Sequence, residues 1–332
     1  MSFIVMKHRN QLITITAGST ISFALIKILS RFAALEVYMG KIVAVCSEDK
    51  KSGKSVVTYL LANKIKKSEK DLKILVCCLN LNYSALYKLF GIDYGAIGLE
   101  DLVNYNFFEE DKSEVLLNII PQSDDIYFLG SYRTTHSYIK KNVEKYYKLF
   151  EKLQNNFDVI IFDTVSGKGN ILTDYVLQKA DSMLKLFVQD NESMKKLYDE
   201  EGVHLTYGRE TIYVVSKYRD IYPRVSDIKR RYSLKKVFAM EYCEKLQEMK
   251  NRDSLHLYPQ HDTSCNESVK YISKHILESM NLMPQDSLVK ESARRYKGNL
   301  KNTLKKLKII PGGGDAYEDN TKFVSKRANG VY

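Results

Sequence analysis

At 332 residues and 44% hydrophobic content, the chain is long enough for one large α/β domain with extensions and apolar enough to fill its core. Five cysteines (Cys46, Cys77, Cys78, Cys243 and Cys265) show no paired metal-ligand spacing, and the six histidines form no H-x-x-x-H or H-E-x-x-H arrangement, which excludes a zinc site of the usual kind. Buried thiols in a reducing cytoplasm are the reading that remains, and most of the formal charge of +11 is concentrated in one late segment.

In chain order, Leu12 to Ile26 carries no charge and follows Lys7, His8 and Arg9, but it is too short for a membrane span and no small-residue cleavage site follows it. Lys41 to Cys46, K-I-V-A-V-C, is a β-branched apolar run suited to a buried parallel strand, and Val56 to Ile65 has the spacing of a following helix. Between them Ser47 to Ser55 reads S-E-D-K-K-S-G-K-S, the G-K-[ST] end of a phosphate-binding loop without the glycines that normally precede it. Gly53 lets the backbone pass close to a phosphate, Lys54 suits the β/γ oxygens, and Ser55 suits Mg²⁺ at the start of a helix whose N-terminus favours anions. The usual loop has glycine where this chain has Glu48, a negative charge that Lys50 and Lys51 are placed to offset. An ordinary strand, turn and helix would carry the same three residues by chance.

Further strands are predicted at Lys73–Cys78, Ile126–Leu129, Asp158–Phe162, Met183–Val188, Thr211–Val215 and Ser254–Tyr258, with helical patterns between most of them. Ile139, Val143, Tyr147, Phe150 and Leu153 recur at helical spacing. This alternation predicts an α/β fold: a doubly wound, mostly parallel sheet with helices on both faces and ligand at the carboxyl ends of its strands. Phe157 to Thr164, F-D-V-I-I-F-D-T, ends a fully apolar strand in Asp163. An acid at that place suits the water shell of Mg²⁺, which makes Asp163 the candidate Walker B residue; a turn or N-cap aspartate is the alternative.

These motifs in this order, with F-G-I-D and G-L-E-D-L-V between them, resemble the ParA/MinD branch of P-loop ATPases from about Met39 to about Leu282, and within it the atypical TadZ/CpaE-type members with altered, deviant Walker A loops. The resemblance implies a P-loop NTPase domain over 39–283, ATP with Mg²⁺, a homodimer that sandwiches nucleotide, and a role as a cytoplasmic spatial organiser or assembly factor. It implies a nucleotide-binding set of Lys50, Lys51, Ser52, Gly53, Lys54, Ser55 and Val56, with Ser55 and Asp163 on the metal and Lys54, Asp163 and Asn82 as the catalytic candidates. The family's loop carries a lysine four residues before Gly53 that reaches the partner's nucleotide, where this chain has Asp49. Its second strand usually ends in D-x-D, matched here by Asn80 and Asn82, which hydrogen-bond water but cannot accept its proton. Ser216 stands where the family presents an asparagine to the base, and Tyr258-Pro259 resembles the turn that closes over it. The expectation is therefore a protein that binds nucleotide and hydrolyses it slowly or not at all. A scaffold that no longer binds nucleotide is the alternative.

Residues 1–38 are read as an extension: a misassigned start, a membrane-surface helix or the remnant of a regulatory domain. Val289 to Ile310 holds eight basic residues against Glu291 alone, a local charge of +7, with Tyr296, Leu300, Leu304 and Leu307 forming one apolar stripe if helical. Anionic membrane, nucleic acid phosphates, an acidic partner, or packing on the domain all suit such a helix. Residues 284–332 are thus read as a basic amphipathic helix and a flexible tail, turn-rich after Pro311 and carrying Tyr317 and Tyr332; bacterial tyrosine kinases share the lineage but end in clustered tyrosines, which makes them a distant alternative.

Overall fold

The computed structural model describes residues 3–8, 11–16, 39–81, 84, 86–92, 97–109, 112–131, 134–167, 170–197, 210–260 and 263–282. Asn82, the basic segment 289–310, Tyr317 and Tyr332 lie outside the described residues. Two strands, β1 (Phe3–His8) and β2 (Gln11–Thr16), pair antiparallel in a separate hairpin. The uncharged stretch from Leu12 thus begins as a strand, in keeping with the alternating, β-branched run L-I-T-I-T.

The main sheet has eight strands: β3 (Lys41–Cys46), β4 (Ile74–Cys78), β5 (Gln122–Ser123), β6 (Ile126–Gly130), β7 (Val159–Asp163), β8 (Ser182–Val188), β9 (Glu210–Tyr218) and β10 (Val237–Glu241), in the order β10-β9-β8-β3-β7-β4-β6-β5. All neighbours are parallel except β5 on β6. The central strands β3, β4 and β7 are buried on both faces, which is why they read as unbroken apolar runs. The chain leaves β3 in one direction and later returns to fill both of its sides with β7 and β8, so the carboxyl ends of these three strands open a crevice at the sheet's switch point.

Ten helices are described: α1 (Lys54–Ser68), α2 (Leu86–Leu89), α3 (Leu99–Asn104), α4 (Ser113–Ile119), α5 (His136–Gln154), α6 (Ile171–Lys179), α7 (Asn191–Lys195), α8 (Val225–Arg231), α9 (Glu244–Asn251) and α10 (Ser264–Ser279). One face of the sheet packs Ile42, Ala44, Leu75, Cys77, Ile160 and Phe162 against α3, α5 and α6. The opposite face carries α1, with α10 packed against it. Cys77 and Cys78 accordingly occupy different faces, both as buried free thiols. In α5 the expected stripe is rotated: Asn142 leaves helical geometry, its Nδ2 donating to the Tyr138 carbonyl at 3.0 Å, and Tyr146 and Leu149 are buried while Val143 and Tyr147 stay half-buried.

The predicted strand at Ser254–Tyr258 is instead a 3₁₀ helix, Leu255–Gln260. Ser254 N–H donates to Met249 O and Leu257 N–H to Ser254 O, so these donors close turns between α9 and α10 and do not pair with a neighbouring strand. The edge strand β10 was not predicted, its run V-F-A-M-E being short and preceded by Lys235-Lys236.

Gly40 fixes where β3 begins. A Cβ there would sit 1.8 Å from the Phe157 carbonyl oxygen, while Gly40 N–H donates to Gln154 O at 2.7 Å and Gln154 Nε2 returns a bond to Gly40 O at 3.1 Å. Gly40→Ala is expected to destabilise the domain by about 2–3 kcal/mol, because the backbone of β3 or of the α5–β7 connection must shift; the urea midpoint reads this directly.

Candidate functional site

The candidate site is built on the turn from β3 into α1. Ser47 is buried and its Oγ accepts Asp49 N–H at 3.1 Å. Lys51 takes a left-handed φ of 61° and Gly53 one of 93°. Gly53 is the N-cap of α1, and its carbonyl accepts Val57 N–H at 2.9 Å. Lys51 thus holds a conformation that glycine adopts at least cost. Its carbonyl accepts Lys217 Nζ at 3.1 Å, which ties the turn to the end of β9.

Both acids of the turn meet cations from elsewhere in the fold, and Glu48 does not pair with Lys50 or Lys51 as expected. Glu48 Oε1 lies 3.8 Å from Nζ of Lys185, a lysine only 2% exposed in the middle of β8. Asp49 Oδ1 receives Lys196 Nζ at 2.5 Å and Oδ2 accepts the Ser193 hydroxyl, and this contact raises the Lys196 pKa. Asp49 is therefore turned toward α7 of its own chain. Reading the sequence missed these partners, although one signal was present: Lys185 is a lone charge inside the apolar run S-M-L-K-L-F-V.

The carboxyl end of β7 supplies the second half of the site. Ser55 Oγ donates to Asp163 Oδ2 at 2.7 Å, and the Cys78 thiol approaches the same oxygen at 3.9 Å. Asp163 Oδ1 is buried with no hydrogen-bond partner. Burial raises the Asp163 carboxyl to about 6, against the opposing effects of Ser55, Lys54 and Cys78. Burial also lowers the Lys54 ammonium, with Asp163 opposing it. Lys54 Nζ donates to Ser166 Oγ, and that hydroxyl donates to the Asp49 carbonyl at 3.0 Å.

Two adjoining clefts share Lys51, Lys54 and Ser55. One, of about 300 Å³, is lined by Lys50, Asn80, Asp163 and Thr164 to Ser166. The other, of about 460 Å³, takes Ser52, Gly53, Val56 and Ser216 on one side and Met240 to Cys243 with α9 residues Leu246, Gln247 and Lys250 on the other. These volumes lie in the range of small-molecule sites. Ser52 Oγ is buried and unpartnered in the larger cleft. Ser216 reaches its wall but donates its hydroxyl to Phe187 O at 3.3 Å. Pro259 lines neither cleft. Its carbonyl accepts Lys67 Nζ at 2.8 Å, near the far end of α1, about 20 Å along the helix from Gly53. Residues 240–250 occupy the wall that sequence reading assigned to the proline turn, because β10 delivers them to the crevice and the 3₁₀ segment does not.

No protein-family model matches this chain, and no curated protein matches it in sequence. Solved structures do match. The cell division ATPase MinD of Pyrococcus furiosus is 15% identical and superposes with a TM-score of 0.58 over 72% of this chain and 99% of its own. A ParA family ATPase from Chlorobium tepidum TLS is 13% identical, with a TM-score of 0.59 over 71% of this chain and 99% of its own. The septum site-determining protein MinD of Pyrococcus horikoshii OT3, solved with Mg-ADP, gives 13% identity and a TM-score of 0.58 over 72% of this chain and 96% of its own. The fold is that of the MinD and ParA ATPases. On that MinD-like frame, the turn after β3 and the acid ending β7 meet at the crevice the topology opens.

Two outcomes follow from these buried charges. An aspartate titrating near 6 in the folded chain costs it on the order of 2–3 kcal/mol at neutral pH, a cost that appears as pH rises from the ordinary aspartate value through 6. Asp163→Asn, which keeps an acceptor for Ser55, is expected to raise the melting temperature at pH 7.5 and to have little effect near pH 4. Glu48→Ala removes the carboxylate facing the buried Lys185 ammonium and is expected to cost about 2 kcal/mol, with a smaller cost when Lys185→Met is already present; a double-mutant cycle in urea measures the coupling.

Proposed function

We propose that this chain is a MinD/ParA-like nucleotide-binding protein, acting as a spatial organiser or assembly factor, that binds Mg-ATP and hydrolyses it weakly or not at all. The observation that carries the reading is the Ser55–Asp163 hydrogen bond at 2.7 Å at the N-terminus of α1, with Lys54 beside it and the second Asp163 oxygen buried without a partner. A hydroxyl and a carboxylate so placed fit a hard divalent cation or its water shell. Ser55 and Asp163 would hold Mg²⁺, which when bound neutralises phosphate oxygens. The N–H groups of the turn and the Lys54 ammonium would hold the phosphates, and the 460 Å³ cleft would take the nucleoside between Ser216 and the β10–α9 wall. Mg-ADP in the P. horikoshii MinD structure supports this ligand.

Weak hydrolysis rests on two positions. Among the described residues, Asp163 is the sole carboxylate lining the smaller cleft, and Asn80 there offers an amide that orients water without taking its proton. Asp49, an acid where the family carries a lysine, has no cation to offer a partner subunit, and Ser193 and Lys196 hold its carboxylate within its own chain. Groups that supply such a cation contribute about 10³- to 10⁵-fold in rate where they are known. A homodimer assembled on nucleotide would therefore be long-lived and would serve as a platform for an assembly partner.

Calorimetric titration with Mg-ATP is expected to show binding that weakens at least about tenfold in Lys54→Ala, with phosphate release at background and a larger particle by light scattering when ATP is present. Robust turnover would overturn the weak-hydrolysis reading. Failure to bind any nucleotide would leave a scaffold of the same fold.

A further inference from the structure

The loop that leaves β9, residues 219–224, presents two large apolar side chains to solvent: Ile221 is 56% exposed and Tyr222 78%. Four of its six carbonyls, those of Arg219, Ile221, Pro223 and Arg224, are bonded within the protein. Gln189 Nε2 converges on the carbonyls of Arg219, Ile221 and Pro223 at 3.1, 2.9 and 2.9 Å, and Gln189 Oε1 accepts Arg219 N–H at 3.0 Å. Ile221 N–H donates to Arg219 O at 2.8 Å, Arg224 N–H donates to Asp227 Oδ2 at 3.1 Å, and Pro223 has no N–H.

The surroundings are strongly basic. Lys217 to Lys236 holds eight lysines and arginines, all exposed, against Asp220 and Asp227, a local charge of +6. Arg224 pairs with Asp220, Arg230 with Asp227 and Lys236 with Glu210. Among the described residues Lys217, Arg219, Lys229, Arg231 and Lys235 have no acidic partner; Arg219 lies over the Tyr242 ring at 4.8 Å and Arg231 over Tyr232 at 5.4 Å.

We infer that this loop is an interfacial wedge that docks the chain on an anionic lipid bilayer, with Ile221 and Tyr222 entering the headgroup boundary and the flanking cations meeting lipid phosphates. Three observations favour a bilayer over the other partners a basic surface attracts. A loop that approaches lipid gains from carbonyls already bonded within the protein, and Gln189 bonds those of Arg219, Ile221 and Pro223 here, leaving the backbone groups of Asp220 and Tyr222 to water at the boundary. An exposed isoleucine beside a tyrosine has a place at the water–lipid boundary and adds nothing to phosphate contact. A second copy of the chain would bring like charges together. The wedge is formed by residues 189 and 219–224 and stands independently of the nucleotide reading.

The sequence contains no tryptophan, so Tyr222→Trp in the full chain carries a single reporter at the tip. With vesicles of phosphatidylcholine and phosphatidylglycerol, its emission is expected to shift to the blue and to be quenched by phosphatidylcholine brominated on the acyl chain. Ile221→Ser with Tyr222→Ser, both at exposed positions and expected to melt like the parent, should lower vesicle co-sedimentation about tenfold. Arg219→Ala should lower it about fivefold. No binding to vesicles, binding without a shift or quench, or co-sedimentation unchanged by the serine pair would overturn the proposal. So would a shift produced by duplex DNA alone, or by raising protein concentration without lipid.

Discussion

The acidic turn between β3 and α1 keeps its course because lysines from β8 and from the residue after α7 meet it. Two adjacent carboxylates at the mouth of a helix N-terminus would otherwise fill the space where an anion would sit, and their repulsion would open the turn. Lys185 comes from within the sheet and Lys196 from its rim, so Glu48 and Asp49 each meet a cation of their own. The chain can then carry acids where glycines would normally stand and still leave the G-K-S end facing the crevice. The Glu48–Lys185 pair, buried on its lysine side, adds little net stability compared with apolar packing but is costly to break singly. The turn and β8 are therefore bound to change together.

The same arrangement links the two clefts mechanically. Ser166 connects Lys54 to the Asp49 carbonyl, Asp49 connects to α7, and Lys217 connects the Lys51 carbonyl to β9. The ends of β3, β7, β8 and β9 are thus joined through side chains of one short turn. A ligand that engages Lys54 acts on a node shared by four strands.

Much of this was legible from the residues. The central strands were visible as β-branched runs because a parallel strand buried on both faces has no polar side to interrupt it. Gly53, Lys54, Ser55 and Asp163 were visible because each stands at the end of such a run. Partners distant in sequence were not visible: Ser193 and Lys196 lie 144 and 147 positions from Asp49, and nothing local marks either. Pro259 was assigned to the base by its Tyr-Pro pattern, yet whether that segment extends or coils depends on the turns closed by Ser254 and Leu257, which tertiary packing decides. The wall it was expected to form comes from β10, an edge strand too short to show in a pattern of periods.

Strand β10 pairs with β9 through a register shift between Ala239 and Glu241. The irregularity falls where Met240 and Glu241 turn to line the larger cleft. It also breaks the regular ladder of donors and acceptors that an outer strand would offer to a stray β-segment. The opposite margin ends in a strand of only two residues, Gln122–Ser123. Neither border of the eight-stranded sheet therefore offers a long regular ladder for open-ended strand addition.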